Sequence, residues 1–398
     1  MKKLTFAVAL CLLALSLFAV VAPSTANANQ NTNANQSNVI YQELKQFLDA
    51  CPDRTNDRTD NQVENYIQDK FVACGIPQEN VRLQSVGTFG SNKNVVATID
   101  VANTTKTVVV GAHFDTVYDT CHAAGDNACG VVALWQIASN LVQNKDKLSF
   151  DVVFVAFTGE EDGLIGSSAY VETLSPVQLN DLVLMINIDT IATGDNLYLF
   201  CENQSTPLLN TMLNNSKNCA TTLLAKPIGV ATYPFLDMWG LGYWEMAQNS
   251  DHTSFRLNGV PTAFFFSGNY SSSYYGYVES SDKSKWVANT QLDTLQNLVV
   301  NSPNFADKVT TVVDTVCYTL TDQVSCQVVA DAKDHLVPNF LQNKVFAIIV
   351  ATLIVLLAIL FVVMYGKKLK KQSVLGVAEA TPKVEAKTTP DAEDIFKF

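Results

Sequence analysis

A histidine and an aspartate two positions apart, His113 and Asp115, close the β-branched run 107–112. In extended chain, positions i and i+2 point to the same side, so Asp115 is placed to hold the ring nitrogen of His113 that faces away from a metal. Further on, Gly125-Asp126-Asn127-Ala128-x-Gly130 leads into an apolar helical stretch, and Asp126 sits either as a ligand or as a carboxylate at a helix start. The apolar run 152–158 ends in Glu160 and Glu161, two adjacent carboxylates that repel unless a cation lies between them. Asp189 closes the apolar run 182–188, and His252 follows Ser250 and Asp251. Singly, each is an ordinary turn residue. Together, two imidazoles and three carboxylates suit two Zn²⁺ ions sharing one carboxylate, and Glu160 is left over to take a proton from the attacking water and pass it to a leaving amine.

The elements that must position these groups follow from apolar periodicity. Helices are predicted over 41–50 and 62–72, and strands over 94–101 and 107–112, the latter two joined as a hairpin by a polar turn. A helix over 129–142, a strand over 151–157 and a short helix over 166–174 come next. Strands over 182–188 and 196–201, a helix over 206–215, a strand over 262–266 and one or two helices within 291–320 complete the pattern. Helices alternating with fully apolar strands imply an α/β fold, a mostly parallel mixed sheet with helices on both faces and an antiparallel hairpin near its start. In such sheets ligands gather at the carboxyl edge of the strands, where His113, Glu161 and Asp189 fall.

The order of these motifs resembles family 28 of the metallopeptidases, which includes bacterial leucyl aminopeptidase, aminopeptidase S and the glutamate carboxypeptidases; the likeness covers about residues 90–320. It implies a zinc-peptidase-like fold and a dizinc exopeptidase acting on peptides. By the resemblance, Asp126 bridges the two Zn²⁺ ions, His113 and Asp189 complete one site, and Glu161 and His252 the other. Glu160 is then the general base, and Asp115 steadies His113. Cys129 departs from the family's usual Ser and invites a rim disulfide with Cys121. Tyr243, Trp244, Tyr270 and Tyr274 are candidate pocket walls, whereas His122 reads as a surface loop residue. A single-zinc glutaminyl cyclase, a carboxypeptidase and a non-catalytic receptor are the other outcomes on this scaffold. Aminopeptidase is preferred to carboxypeptidase because a terminal carboxylate is best gripped by arginine forks, and the chain has four arginines, Arg54, Arg58, Arg82 and Arg256.

The rest of the chain speaks of a compartment. Lys2 and Lys3, an apolar run and Ala26-Asn27-Ala28 form a signal peptide over 1–28, followed by a disordered leader over 29–38 and a peptidase domain over 39–320. A stalk over 321–344, carrying His335, leads to an uncharged span over 345–365, and Lys367, Lys368, Lys370 and Lys371 mark the tail 366–398 as cytoplasmic. This is a type I single-pass arrangement with the catalytic domain extracellular or luminal. Eight cysteines outside the signal peptide suggest disulfides, simplest as 51–74, 121–129, 201–219 and 317–326. Sequons stand at Asn35, Asn103, Asn203, Asn214 and Asn269. A formal charge of −12 argues against nucleic acid as partner.

Overall fold

The computed structural model describes residues 25–87, 92–117, 122–202, 206–228, 231–232, 243–244, 250–270, 279–335, 356–357 and 359–361. Residues 1–337 form one compact unit and 338–398 a second. In the first, helices α1 (Thr25–Ala50) and α2 (Gln62–Ala73) precede strands β1 (Val81–Ser85), β2 (Lys93–Ile99) and β3 (Thr107–His113). Helix α3 (Cys129–Gln143), β4 (Asp151–Phe157), α4 (Ile165–Glu172), α5 (Pro176–Asp181), β5 (Leu182–Ile188) and β6 (Asn196–Glu202) follow. Then come α6 (Thr206–Asn215), β7 (Leu223–Ile228), the short strands β8 (Ala231–Thr232) and β9 (Tyr243–Trp244), α7 (His252–Leu257), β10 (Thr262–Gly268), α8 (Leu295–Asn301), α9 (Phe305–Thr321) and α10 (Gln323–Asp331).

Eight strands form one mixed sheet in the order β1-β2-β4-β3-β5-β10-β6-β7. The four central strands β4, β3, β5 and β10 run parallel, and their side chains alternate between two apolar layers. Val108, Val110, Phe154 and Ala156 meet α1, α2, α3 and α9 on one face; Val109, Val155 and Phe157 meet Tyr170 of α4 and Phe255 of α7 on the other. Helices therefore cover both faces, as alternation of buried strands with helices requires. Trp135 of α3 anchors the larger layer: its ring meets Phe47 edge-on at 5.5 Å, and its indole N–H donates to Glu43 at 2.7 Å.

The hairpin expected between β2 and β3 is not formed, because β4 lies between them. β2 pairs with β4 antiparallel, while β3 pairs with β4 parallel. The connection steps over one strand and is pinned where it does so: Asp151 accepts from the Val101 N–H at 2.7 Å, and its own N–H donates to the Lys106 carbonyl at 3.0 Å. The true hairpin pairs β1 with β2.

Three further expectations are corrected. Residues 29–38 belong to α1, since no proline or glycine interrupts 25–50 and the buried face from Ile40 to Leu48 supplies the packing that lets a helix propagate. Residues 321–335 are no stalk. Asp322 caps α10 by accepting from Ser325 N–H at 2.9 Å, Cys326 and Val329 are buried, and Lys333 donates to the Leu179 and Asn180 carbonyls at 2.6 and 3.0 Å. The pairs 51–74, 201–219 and 317–326 are absent, because Cys51, Cys74, Cys219, Cys317 and Cys326 are thiols. Cys74 donates to the Trp135 carbonyl at 3.2 Å and Cys326 to that of Leu320 at 3.2 Å. Cys129 is likewise a buried thiol, whereas Cys121 lies outside the described residues. Of the sequons, Asn269 is only 7% exposed and donates to Asp195 at 2.8 Å, so it is closed to a glycan.

The span expected over 345–365 lies outside the described residues apart from Leu356, Leu357, Ile359, Leu360 and Phe361, which are helical and exposed. Among the described residues no helix is long and apolar enough to cross a membrane. The signal peptide, apart from the start of α1, and the cytoplasmic tail also lie outside them.

Removing the anchor of the larger layer tests the packing. Trp135→Ala should lower the unfolding free energy by about 3–5 kcal/mol, read as a fall in the urea midpoint at unchanged slope. A loss below about 1 kcal/mol would contradict the burial of this ring.

Candidate metal centre

Three neighbouring parallel strands deliver the site to one sheet edge. His113 ends β3, Glu160 and Glu161 follow β4, and Asp189 follows β5; β3 lies between the other two. Because His113 is level with Phe157 in the register, the exits of β3 and β4 coincide. Asp126 lies in the turn Ala124–Ala128 that feeds α3. His113 Nε2 stands 3.3 Å from Asp126 Oδ1 and 3.3 Å from Asp189 Oδ1. Ligand atoms of His113, Asp126 and Glu161 lie within 4.8 Å of one another, the one such group among the described residues. A cleft of about 740 Å³ opens over them, lined by Asp126, Glu160, Glu161, Asp189, Phe266, Glu279 and Trp286 among others.

His252 stands apart from that group. It begins α7, is fully buried, and stacks on Phe264 with ring centroids 4.3 Å apart; its Nδ1 is 3.4 Å from the Asn187 amide nitrogen. Asn187 and Phe264 are register partners on β5 and β10, so the ring lies over the sheet just inside the edge. Asp115 differs from expectation in another way. Its Oδ1 is 3.5 Å from His113 Nδ1, in ion-pair range without the alignment of a hydrogen bond. Its stronger commitments are to the backbone after β4, where Oδ1 accepts from Glu160 N–H and Oδ2 from Glu161 N–H, both at 3.2 Å. Asp115 thus fixes the adjacent glutamates as well as the imidazole.

Backbone anchors hold the rest. Asn127 donates to the Ile188 carbonyl at 2.9 Å and accepts from Gly130 N–H at 3.1 Å and Thr190 N–H at 3.2 Å, joining the Asp126 turn to the Asp189 exit. A Cβ on Gly130 would collide with that side chain, which explains the glycine. Asn56 bridges Asp115 and Asp162, each at 2.9 Å. Arg54, fully buried, donates to the carbonyls of Phe114 at 2.8 Å, His122 at 2.9 Å, Ala123 at 3.1 Å and Cys51 at 3.3 Å. The Asp293 carboxylate accepts from the N–H groups of Gly125 and Asp126. Arg54 was visible in the sequence only as one of four arginines, Asn127 only as a member of the motif around Asp126, and Asn56 and Asp293 carried no periodic or spacing signal as anchors. Of the candidate pocket walls, Tyr270 packs edge-on against Tyr198 at 4.9 Å and is 8% exposed. The side chains of Tyr243 and Trp244, and all of Tyr274, lie outside the described residues. His122 is exposed, as expected of a loop residue.

The electrostatics are lopsided. Asp126, Glu160, Glu161, Asp189 and Asp251 share His113 as a counter-charge. Burial, aided by neighbouring carboxylates, pushes Glu160 up to about 10, Glu161 to about 8 and Asp251 to about 7. Burial alone would lower the His113 pKa, but Glu160, Asp189, Asp115 and Asp126 outweigh it and raise it well above 6.5. A buried set of carboxylates around one imidazole offers hard oxygen and nitrogen donors and an excess of negative charge, which is the chemistry of a divalent-cation site.

A model of peptidase family M28 matches residues 94–313, more than half of the chain. The chain belongs to that family. Among curated relatives, this M28 chain is 26% identical over 193 residues to the probable leucine aminopeptidase 2 of Aspergillus oryzae, covering 48% of this chain and 36% of that protein. It is 31% identical over 183 residues to the probable lipoprotein aminopeptidase LpqL of Mycobacterium tuberculosis, covering 44% and 34%. The chain thus spans about a third of the length of these relatives. Among solved structures, it resembles the LapA aminopeptidase of Legionella pneumophila with a TM-score of 0.53 at 17% identity, over 74% of this chain and 75% of that one, a likeness of fold.

The buried glutamates make stability depend on pH in a defined direction. Their folded pKa values lie above the ordinary 4.5, so their contribution is fully present below about 4.5 and is lost as pH rises through about 8 for Glu161 and about 10 for Glu160. His113, also raised, acts with the same sign. Chelator-treated protein should therefore melt at a lower temperature at pH 9 than at pH 6, and added Zn²⁺ should raise the melting temperature more at pH 9. A melting temperature that climbs from pH 6 to pH 9 without metal would contradict this electrostatic picture.

Proposed function

We propose that this M28 chain is a zinc-dependent aminopeptidase that removes residues from the N-terminus of peptides. One observation carries the reading: a cleft lined by Asp126, Glu160, Glu161, Asp189 and Glu279, with His113 beneath it and no arginine among its lining residues. An acidic cleft attracts an N-terminal ammonium. Two of the four arginines that a terminal carboxylate would favour are committed elsewhere, Arg54 to backbone carbonyls and Arg58 to Glu64 at 3.2 Å.

His113, Asp126, Glu161 and Asp189 would hold zinc, and His252 is the imidazole that a second ion calls for. Bound zinc supplies a Lewis acid for the scissile carbonyl and lowers the pKa of water. Glu160 is half-buried on the cleft wall, attached through its N–H to Asp115. Its raised pKa would come down beside the charge of bound zinc, and its freed carboxylate would then take the proton of the attacking water and release it to the leaving nitrogen. Leu164, Phe266 and Trp286 form apolar wall that shields the scissile bond from bulk water.

Zinc content by mass spectrometry, with hydrolysis of leucine p-nitroanilide and of an N-terminal glutamine peptide, tests the proposal on the full chain. Two zinc ions per chain, arylamide release abolished by chelator, and a fall in kcat of about 10²–10⁴-fold for Glu160→Gln are expected. Cyclisation of the glutamine peptide with one zinc would replace this reading by a glutaminyl cyclase, and a fully active Glu160→Gln would sink both. One zinc retained in His252→Ala, against two in the parent, would assign His252 to the second ion.

The same proposal includes secretion through a signal peptide over 1–28 and anchoring by 345–365, supported by the apolar runs and by the lysines at 367, 368, 370 and 371. Full-length chain should stay with membranes under alkaline carbonate, and a chain ending at residue 344 should not. Release of both would remove the anchor from the proposal.

A further inference from the structure

Asp126 has a demanding position. Its turn departs from helical geometry: Asp126 lies at φ −120° and ψ 86° and Asn127 at φ −140° and ψ 42°. Successive N–H groups in this segment need acceptors from elsewhere if the carboxylate is to keep its aim. Those acceptors come from one residue far along the chain. Asp293 Oδ1 accepts from Gly125 N–H at 2.8 Å, Asp293 Oδ2 from Asp126 N–H at 2.9 Å, and the Asp293 carbonyl from Ala124 N–H at 3.2 Å. The Asp293 side chain is fully buried, and a Cβ on Gly125 would come within 3.2 Å of its Oδ1. Asp293 is itself held, since its N–H donates to the Thr290 carbonyl at 3.1 Å and the next residue, Thr294, caps α8 by accepting from Asn297 N–H at 3.2 Å.

We propose that Asp293 is the positioning residue that aims the Asp126 carboxylate into the metal site. It would touch neither metal nor substrate; it acts by fixing three consecutive amides, as partners of metal ligands do. The inference rests on the zinc reading above. It also gives a second duty to the segment 279–294, whose Glu279, Trp286, Ala288 and Asn289 line the cleft while its end holds the ligand turn.

The test is zinc affinity of the full chain, by competition with a chromophoric chelator, in the parent, Asp293→Asn, Asp293→Glu and Thr294→Val. Asp293→Asn keeps the volume but sets an NH₂ against one of the two N–H donors, and should weaken zinc binding about 10–100-fold. Asp293→Glu keeps the charge but misplaces it, and should also weaken binding. Thr294→Val removes only the cap of α8 and should lower the melting temperature with zinc affinity unchanged. If folded Asp293→Asn binds zinc like the parent, or if Thr294→Val loses affinity as much as Asp293→Asn does, the proposal falls. Should Asp293→Asn not fold, undiminished affinity in Asp293→Glu overturns it. A parent that binds no zinc at all would instead overturn the metal reading.

Discussion

Five buried or half-buried carboxylates share one imidazole at the edge of the sheet, and the surrounding structure serves to hold that repulsive set together. Left to themselves, Asp126, Glu160, Glu161 and Asp251 would separate or take up protons, and the raised pKa values of the two glutamates record that tendency, while Asp189, despite its burial, is held charged by His113. What prevents separation is a frame of hydrogen bonds to backbone. Asp115 grips the two N–H groups after β4, Asn127 ties the Asp126 turn to the Asp189 exit, and Asp293 grips that turn from behind. A divalent cation would convert the same crowding from a cost into an attraction.

The sheet makes the crowding possible. Parallel strands joined by crossovers end on a common edge, so residues far apart in the chain meet without long loops. β3 sits between β4 and β5, and its terminal histidine is accordingly within reach of carboxylates from both sides. The two apolar layers that clamp this sheet set where its strands stop, and thereby where the charged groups stand.

Much of this was legible in the sequence, and the parts that were not have a common cause. β4 and β5 have the bounds predicted, because each is a nearly continuous apolar run followed by polar residues, and α6 has the bounds that its helical spacing predicts. His113, Glu161 and Asp189 stood out because polar residues that end or follow apolar strands are conspicuous, and Asp126 because of the glycine-bounded motif around it. Pairing was less legible. The sequence shows that β2 and β3 are strands but not that β4 inserts between them, since neighbours in a sheet are chosen by the crossover. Anchors were least legible. Asp293 acts on backbone N–H groups, which nearly every residue carries, and Asn56 reaches carboxylates 59 and 106 positions away, so no spacing betrays either of them. His252 adds a contact that its motif does not announce, the stacking of its ring on Phe264.

Arg54 draws a boundary inside the molecule between what protons can alter and what they cannot. Its guanidinium donates to backbone carbonyls that tie the chain after β3 to the stretch before the Asp126 turn. Both partners are indifferent to acidity: an arginine keeps its charge throughout the range in which carboxylates and imidazoles exchange protons, and a peptide oxygen has none to lose. The carboxylates and the imidazole can thus change ionisation while these contacts, which space them, keep their dimensions. Lysine, with a compact charge and no planar fork, could not clasp the same scattered oxygens at once.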